Sequence, residues 1–109
     1  MAKCFLCAGI YLFFECPGCD DTHQVVVNQP GRWTWNGSLG APTIRASILV
    51  RSRLYGPDKL PFRRYEGPYP CESTPLVCHS FVTDGRIEFL TDCTHALAGQ
   101  TVDLPDWPE

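Results

Sequence analysis

The stretch Cys78–Cys93, CHSFVTDGRIEFLTDC, decides the fold that we expect for this chain. Its Asp84-Gly85 pair separates two apolar, β-prone runs, and Asp-Gly supplies the positive φ angles that a two-residue type I′ turn requires. The stretch is therefore predicted to form a β-hairpin in which Val82 faces Ile87.

The two faces of this hairpin carry different chemistry, because side chains alternate along a strand. Counting outward from the turn places Cys78 and Cys93 diagonally on one face. The same count places His79 and Asp92 diagonally on the other face. One hairpin would thus offer thiols to one side and an imidazole with a carboxylate to the other.

A second β unit is predicted near the N-terminus. The run Ile10–Glu15 is aromatic and β-prone, and it leads into Cys16-Pro17-Gly18-Cys19, a tight turn whose two thiolates can point at one ion. Thr22–Val27 then resumes as a strand. Knuckle and hairpin together predict a mostly β fold, a small antiparallel β domain with a zinc-ribbon-like knuckle.

The chain of 109 residues is predicted to be one zinc-stapled domain, 1–109. Ten prolines and nine glycines argue against long helices. Residues 51–77 are rich in Arg, Pro, Gly and Tyr without a clear period, and we expect a long irregular surface loop there. A bound metal ion that cross-links the chain would add to the stability of so small a core.

Composition excludes several classes of function. A net charge of −3 gives no basic field for nucleic acid, and no apolar run reaches the roughly 18 residues of a membrane span. Seven cysteines cannot all pair within the chain, and no signal-peptide cleavage site follows the apolar run that ends at Phe14. We expect a cytoplasmic protein with reduced thiols, acting without nucleic acid or membrane.

Four cysteines are predicted to bind a structural zinc ion. Cys16 and Cys19 have knuckle spacing, and Cys78 and Cys93 share one face of the distant hairpin. Four thiolates would close a tetrahedral site with Zn–S distances near ~2.3 Å and no open position for catalysis. Such a site would contribute directly to the free energy of folding.

Alternatives to this ligand set remain at this stage. His23 could replace Cys93 as the fourth ligand, and His95 is a further candidate. Cys78 and Cys93 could instead form a disulfide or be two buried thiols. The pair Cys4-x2-Cys7 has ligand spacing but no later partner pair, only the lone Cys71, and we interpret it as incidental or as a weak additional metal-binding pair.

The opposite face of the hairpin suggests a catalytic site. Asp92 could orient His79, and a nucleophile would be needed within about 3 Å of the imidazole. Ser47 is the candidate, because it projects from the less apolar side of the predicted strand Thr43–Val50. Ser80 points to the wrong face, and a zinc-bound Cys93 would be occupied.

The chain resembles a family of small phage and bacterial zinc-knuckle proteins, often mislabelled ammonia monooxygenase, over nearly everything from Phe14 to Trp107. The shared motifs are Cys16-Pro17-Gly18-Cys19 with His23, Trp33-Thr34-Trp35-Asn36-Gly37, Pro42-Thr43-Ile44-Arg45-Ala46-Ser47-Ile48, Cys78-His79-Ser80-Phe81 and the run from Asp92 to Val102. Members in bacterial ubiquitination-like operons act as zinc-stabilised serine peptidases on a ubiquitin-like protein.

The resemblance implies a function for this chain. Cys16, Cys19, Cys78 and Cys93 match the zinc ligands, and Ser47 and His79 match the nucleophile and the general base. Asp92 as third member rests on the hairpin register. The family usually has Pro-Ser at the nucleophile strand, whereas Ala46 precedes Ser47 here. The implied activity is serine-type hydrolysis after a ubiquitin-like C-terminus through an acyl-enzyme.

A function of another class stays open beside this one. The chain could be a non-enzymatic zinc-ribbon binding module of a phage, as an accessory, virion or inhibitor protein that uses the same scaffold to bind a partner. The oxygenase that the common label suggests has little support, since such enzymes need a redox metal and membrane spans.

Overall fold

The computed structural model describes residues 1–68 and 72–108, with the backbone alone at position 63. Cys71 lies outside the described residues. Within them the fold is all-β, as predicted, with one 3-10 turn at Phe62–Arg64. The strands are β1 (Phe5–Cys7), β2 (Tyr11–Cys16), β3 (Asp21–Val26), β4 (Thr34–Trp35), β5 (Ile44–Tyr55), β6 (Leu60–Pro61), β7 (Ser73–Thr83), β8 (Arg86–Phe89) and β9 (Thr101–Asp103).

The strands form two antiparallel sheets. The first has the order β1-β2-β3, and the second has the order β4-β5-β7-β8-β9, with β6 paired to the end of β5. The longest pairing joins β5 to β7. These two strands carry the candidate site residues of the second sheet, so their register decides the geometry of the site.

The predicted knuckle is present between β2 and β3. Cys16 pairs with Asp21, and the backbone N–H of Asp20 donates to the Cys16 carbonyl at 2.9 Å. Asp20 has a φ of 54°, a left-handed conformation that aspartate tolerates better than most residues. The turn therefore brings the Cys16 and Cys19 side chains to the same end of the sheet.

The predicted hairpin is also present, as β7 and β8. Asp84 and Gly85 have φ values of 51° and 78°, and Val82 pairs with Ile87 as expected. Strand β8 ends at Phe89, however, so the predicted pairing does not continue to Cys78. The chain turns back instead, and the Thr94 N–H donates to the Val77 carbonyl at 2.9 Å.

The structure corrects the loop that was predicted over residues 51–77. Strand β5 continues to Tyr55 and β7 begins at Ser73, and these two residues pair with each other. The segment between them contains β6 and the 3-10 turn. No apolar alternation marks this part of the sequence, because Arg51 and Arg53 lie in a strand whose outer face is exposed.

Buried side chains of both sheets form one hydrophobic cluster. Its members include Leu12, Phe14, Val25, Ile44, Ile48, Cys78, Val82, Ile87 and Phe89. Cys16, Cys19 and Cys78 belong to the same cluster, so the candidate metal ligands lie where the two sheets meet. Nothing helical among the described residues is both long enough and apolar enough to cross a membrane.

Candidate active site and metal centre

Ser47 follows an irregularity in the pairing of β5 with β7. Between the pairs Ile44–Val82 and Ile48–Ser80, β5 advances by four residues while β7 advances by two. A bulge of this kind redirects side chains locally. Ala46 is consequently exposed, whereas regular alternation would place it on the buried face with Ile44 and Ile48.

Beyond the bulge, Ser47 shares a face with His79. Leu49 pairs directly with His79, so the two side chains lie on the same side of the sheet. Ser47 precedes Leu49 by two residues and therefore lies diagonally from His79. The indole N–H of Trp33 donates to the Ser47 carbonyl at 3.1 Å, which fixes the backbone at the serine.

The structure brings Ser47, His79 and Asp92 into contact. His79 Nε2 lies 3.1 Å from Ser47 Oγ, and His79 Nδ1 lies 3.1 Å from Asp92 Oδ2. When Nδ1 donates its proton to the carboxylate, Nε2 is free to accept the hydroxyl proton of Ser47. This is the arrangement that a nucleophilic serine with a general base requires.

The turn after β8 holds Asp92 beside the imidazole. The His79 carbonyl accepts the Leu90 N–H at 2.9 Å, and the His79 N–H donates to Cys93 Sγ at 3.2 Å. The Cys93 thiol in turn donates to the His79 carbonyl at 3.2 Å. Leu90 and Cys93, which lie on either side of Asp92, are therefore both hydrogen-bonded to the backbone of His79.

Four buried side chains form a candidate metal site on the inner side of β7. The ligand atoms of Cys16, Cys19, His23 and Cys78 all lie within 4.8 Å of one another. Cys16 Sγ and Cys78 Sγ are 3.8 Å apart. Two thiolates bound to one tetrahedral zinc ion at ~2.3 Å would lie ~3.8 Å apart, so the observed spacing fits such an ion.

The imidazole of His23 supplies an independent indication of a metal. The residue is 5 % exposed, and neither of its ring nitrogens has a hydrogen-bond partner. Leaving buried polar atoms unpaired costs free energy, and proteins rarely tolerate it. A metal ion bound to one of these nitrogens would satisfy it. The donor set therefore fits a metal ion that prefers nitrogen and sulfur.

The pKa values of the three thiols in this group are shifted in different directions. Hydrogen bonds from Cys19 and Cys78 to the Cys16 sulfur hold the pKa of Cys16 far below its usual range. The hydrogen bond to Cys16 raises the pKa of Cys19 to about 12, and hydrogen bonds with Cys16 and Cys19 raise that of Cys78. The neighbouring thiols thus stabilise a buried thiolate at Cys16. Its negative charge would be neutralised by a bound cation.

Cys93 does not join the group that contains both knuckle cysteines. It lies with Cys78 and His95 in a second group of potential ligands, since the chain turns after Phe89 and carries its thiol to the His79 backbone. The geometry therefore favours His23 over Cys93 beside Cys16, Cys19 and Cys78. All six described cysteines are free, so the alternative of a Cys78–Cys93 disulfide is not realised.

His95 packs against the metal group from the side. Its Nε2 lies 3.4 Å from Cys78 Sγ, and its Nδ1 accepts the Leu97 N–H at 3.2 Å. The proton of the neutral ring is therefore on Nε2, where it can be donated to the Cys78 sulfur. A side chain at Gly18 would collide with this ring, because a Cβ there would lie 2.4 Å from the imidazole.

The first cysteine pair takes no part in either group. Cys4 is buried and lies 3.6 Å from the Leu39 carbonyl, whereas Cys7 is exposed on β1. Burial raises the pKa of the Cys4 thiol to about 11. This placement agrees with the interpretation of the Cys4-x2-Cys7 spacing as incidental.

Comparison with known proteins adds a family to this geometry. Residues 4–90 match the family described as bacterial ubiquitination-like system serine protease (BubE). The chain belongs to the BubE family. The matched span contains Ser47, His79 and the group of four potential ligands, while Asp92 follows it. No curated protein and no solved structure gives a significant match.

Two clefts flank the site of this BubE family member. One, of about 280 Å³, lies beside Ser47 and is lined by Gly31, Arg32, Trp33 and Ala46. The other, of about 480 Å³, lies beside His79 and is lined by residues of the turn after β8, including Leu90 and Asp92. Both are open to solvent, so an extended polypeptide could cross the serine and the histidine.

Sequence reasoning missed two contributors to the BubE site. In the sequence Trp33 stands out only as part of a shared motif, but its indole donates to the Ser47 carbonyl. Cys93 was predicted as a ligand, and its thiol also contacts the backbone of His79. A backbone acceptor for an indole leaves no pattern in a sequence, and neither does a contact between a thiol and a peptide group.

Proposed function

We propose that this chain is a zinc-stabilised serine protease that cleaves after the C-terminus of a ubiquitin-like protein. Ser47 is the nucleophile, His79 the general base and Asp92 the residue that orients the base. The observation that carries the proposal is the pair of 3.1 Å contacts that link these three side chains in a member of the BubE family.

The first half of the reaction forms an acyl-enzyme. Ser47 Oγ attacks the scissile carbonyl carbon while His79 Nε2 takes the hydroxyl proton. Asp92 stabilises the resulting imidazolium through Nδ1. The bond to the leaving amine then breaks, and His79 gives its proton to the amine nitrogen, which leaves Ser47 esterified.

The second half releases the substrate and restores the enzyme. A water molecule attacks the ester carbonyl while His79 Nε2 accepts a proton from it. The ester bond breaks, the proton returns to Ser47 Oγ, and the substrate leaves as a carboxylic acid. The solvent-open clefts beside Ser47 and His79 give water access to the acyl-enzyme.

Zinc is the metal that the buried group would take, held by Cys16, Cys19, Cys78 and His23. Bound there, a zinc ion would be structural, since four side-chain ligands leave no open coordination position. Its ligands join the knuckle of the first sheet to β7 of the second. Through these ligands the chain would hold β7 in place, and with it the position of His79 opposite β5.

A fluorophosphonate probe, which reacts with activated serines, tests the proposal. The zinc-loaded protein should become labelled at Ser47, and Ser47→Ala should abolish labelling. Ser80→Ala is the matched control, because Ser80 is fully buried on the opposite face and its hydroxyl has no partner. Folded, zinc-replete protein that is not labelled would favour the non-enzymatic binding module instead.

The substrate is tested with a fusion protein. A ubiquitin-like protein of a bacterial ubiquitination-like system is joined through its C-terminus to a reporter, and the products are analysed by mass spectrometry. We expect a single cut after the last ubiquitin-like residue, absent with Ser47→Ala. If Ser47 is labelled but this cut is absent, the protein is a serine hydrolase that acts on a different substrate.

A further inference from the structure

The outer face of β5 continues past the serine as an exposed stripe, which we define as Leu49, Arg51 and Arg53. Leu49 is 47 % exposed and pairs with His79, so it adjoins the reacting groups. Both arginines are exposed. Because alternate residues of a strand share a face, all three side chains lie on the side of Ser47.

On β5 and β7 the charge of this face has one sign, while Asp92 and Glu88 lie beside His79 in the neighbouring cleft. Of the residues on β5 and β7 that share the face of His79, the charged ones are Arg45, Arg51 and Arg53, and none is acidic. Arg45 donates to the Val82 carbonyl, and Arg53 donates to Ser73 Oγ. Within the described part of the chain, Arg51 has no ion pair or hydrogen bond. A chain of net charge −3 thus leaves its own arginines uncompensated here.

Resting on the proposed function, we propose that the stripe docks an acidic segment of the protein substrate. An apolar substrate side chain covers Leu49, and carboxylates lie against Arg51 and Arg53. Arginine pairs with carboxylates through a planar fork of donors, which makes it well suited to this contact. Two exposed arginines on one strand also attract an acidic segment during encounter.

The spacing of the stripe defines which substrate residues it reads. At ~3.3 Å per residue, Arg51 lies about 13 Å and Arg53 about 20 Å along the strand from Ser47. An extended substrate segment that runs along β5 would therefore place acidic residues about four and six positions from the scissile bond. The stripe therefore selects substrates by acidic residues that lie several positions away from the scissile bond.

Binding is measured without any chemical step, by titrating ¹⁵N-labelled Ser47→Ala protein with two ten-residue peptides. One peptide carries leucine and three glutamates, and the other carries lysines in place of the glutamates. We expect the acidic peptide to shift the amide signals of Leu49, Arg51 and Val77. The double variant Arg51→Glu, Arg53→Glu should weaken its binding by about 3- to 10-fold.

Lys59→Glu is the matched control, since it reverses one exposed charge in the turn before β6. It should leave the affinity within about twofold, because Lys59 lies in the turn before β6 and not on the stripe. Equal binding of the basic peptide, shifts confined to other strands, or shifts caused by self-association would each overturn the proposal. Fluorophosphonate labelling of the wild-type protein is read separately, so the docking surface and the proposed hydrolase can fail independently.

Discussion

Cys78 and His79 are consecutive residues of β7, yet their side chains enter two different sites on opposite sides of the sheet. Cys78 is fully buried, with its sulfur 3.8 Å from that of Cys16, while His79 Nε2 lies 3.1 Å from Ser47 Oγ. Alternation along the strand enforces this division. The candidate metal ligands and the proposed catalytic residues thus depend on one segment of backbone and can still be separated by mutation.

Replacement Cys78→Ser should remove the metal and destabilise the fold. The binding free energy of a structural zinc ion is also folding free energy, and we expect a loss of about 2 kcal/mol or more. For a chain of this size that corresponds to a fall in Tm of about 10 °C. Metal content and thermal unfolding measure the effect, and a chelator added to the wild-type protein should reproduce it. Full zinc content in this variant would contradict the assignment.

Replacement His79→Ala should spare the metal and remove the chemistry. We expect unchanged zinc content and a fluorophosphonate labelling rate about 10²- to 10⁴-fold lower, the usual contribution of a general base. Asp92→Ala should cost less, about 10- to 100-fold, because its side chain is 58 % exposed and water can replace part of its interaction with the imidazole. Equal losses of labelling and of zinc in His79→Ala would mean that the two sites are not separable.

The parts of the site that the sequence predicted are those set by counting along a strand. The Asp84-Gly85 turn fixes the register of β7 and β8, and alternation then assigns Cys78 and His79 to opposite faces. The Cys16-Pro17-Gly18-Cys19 turn similarly predicts the knuckle. Local chemistry was sufficient in both cases.

The parts that the sequence did not predict depend on tertiary contacts. The position of Cys93 follows from where β8 ends, and that end is set by the bonds between Thr94 and Val77. Strand residues Arg51 and Arg53 were assigned to a loop because their outer face is solvent-exposed and needs no apolar alternation. Partners distant in sequence decide both features.

The fourth ligand of the metal is decided by comparing His23→Ala with Cys93→Ala. We expect His23→Ala to lower zinc affinity by more than about 100-fold, beyond the usual effect of an outer-shell partner. Cys93→Ala should keep one zinc ion per chain but slow labelling of Ser47, because the thiol holds the His79 backbone. Competition with a chelator and the spectrum of the cobalt-substituted protein measure the coordination. The reverse pattern would restore Cys93 as the ligand.

His95 is expected to act on the metal through Cys78. His95→Phe keeps an aromatic ring against Phe89, 4.5 Å away, but removes the donor to the Cys78 sulfur. Loss of such an outer-shell hydrogen bond typically lowers metal affinity by about 10- to 100-fold. The cobalt spectrum should keep the band pattern of three sulfurs and one nitrogen. A changed band pattern would show that His95 is itself a ligand.

Cys4 should be unreactive in the folded protein and should make stability depend on alkaline pH. Burial raises the pKa of Cys4 from 9.0 to about 11, so iodoacetamide at pH 8 should modify the exposed Cys7 and spare Cys4 until the chain unfolds. A raised pKa means that the folded state holds the thiol proton more tightly. The corresponding stability is complete below pH 9 and is lost as the pH rises through 11. Tm measured against pH should therefore fall more steeply in this window for the wild-type protein than for Cys4→Ala, and parallel curves would show that the buried thiol does not titrate with folding.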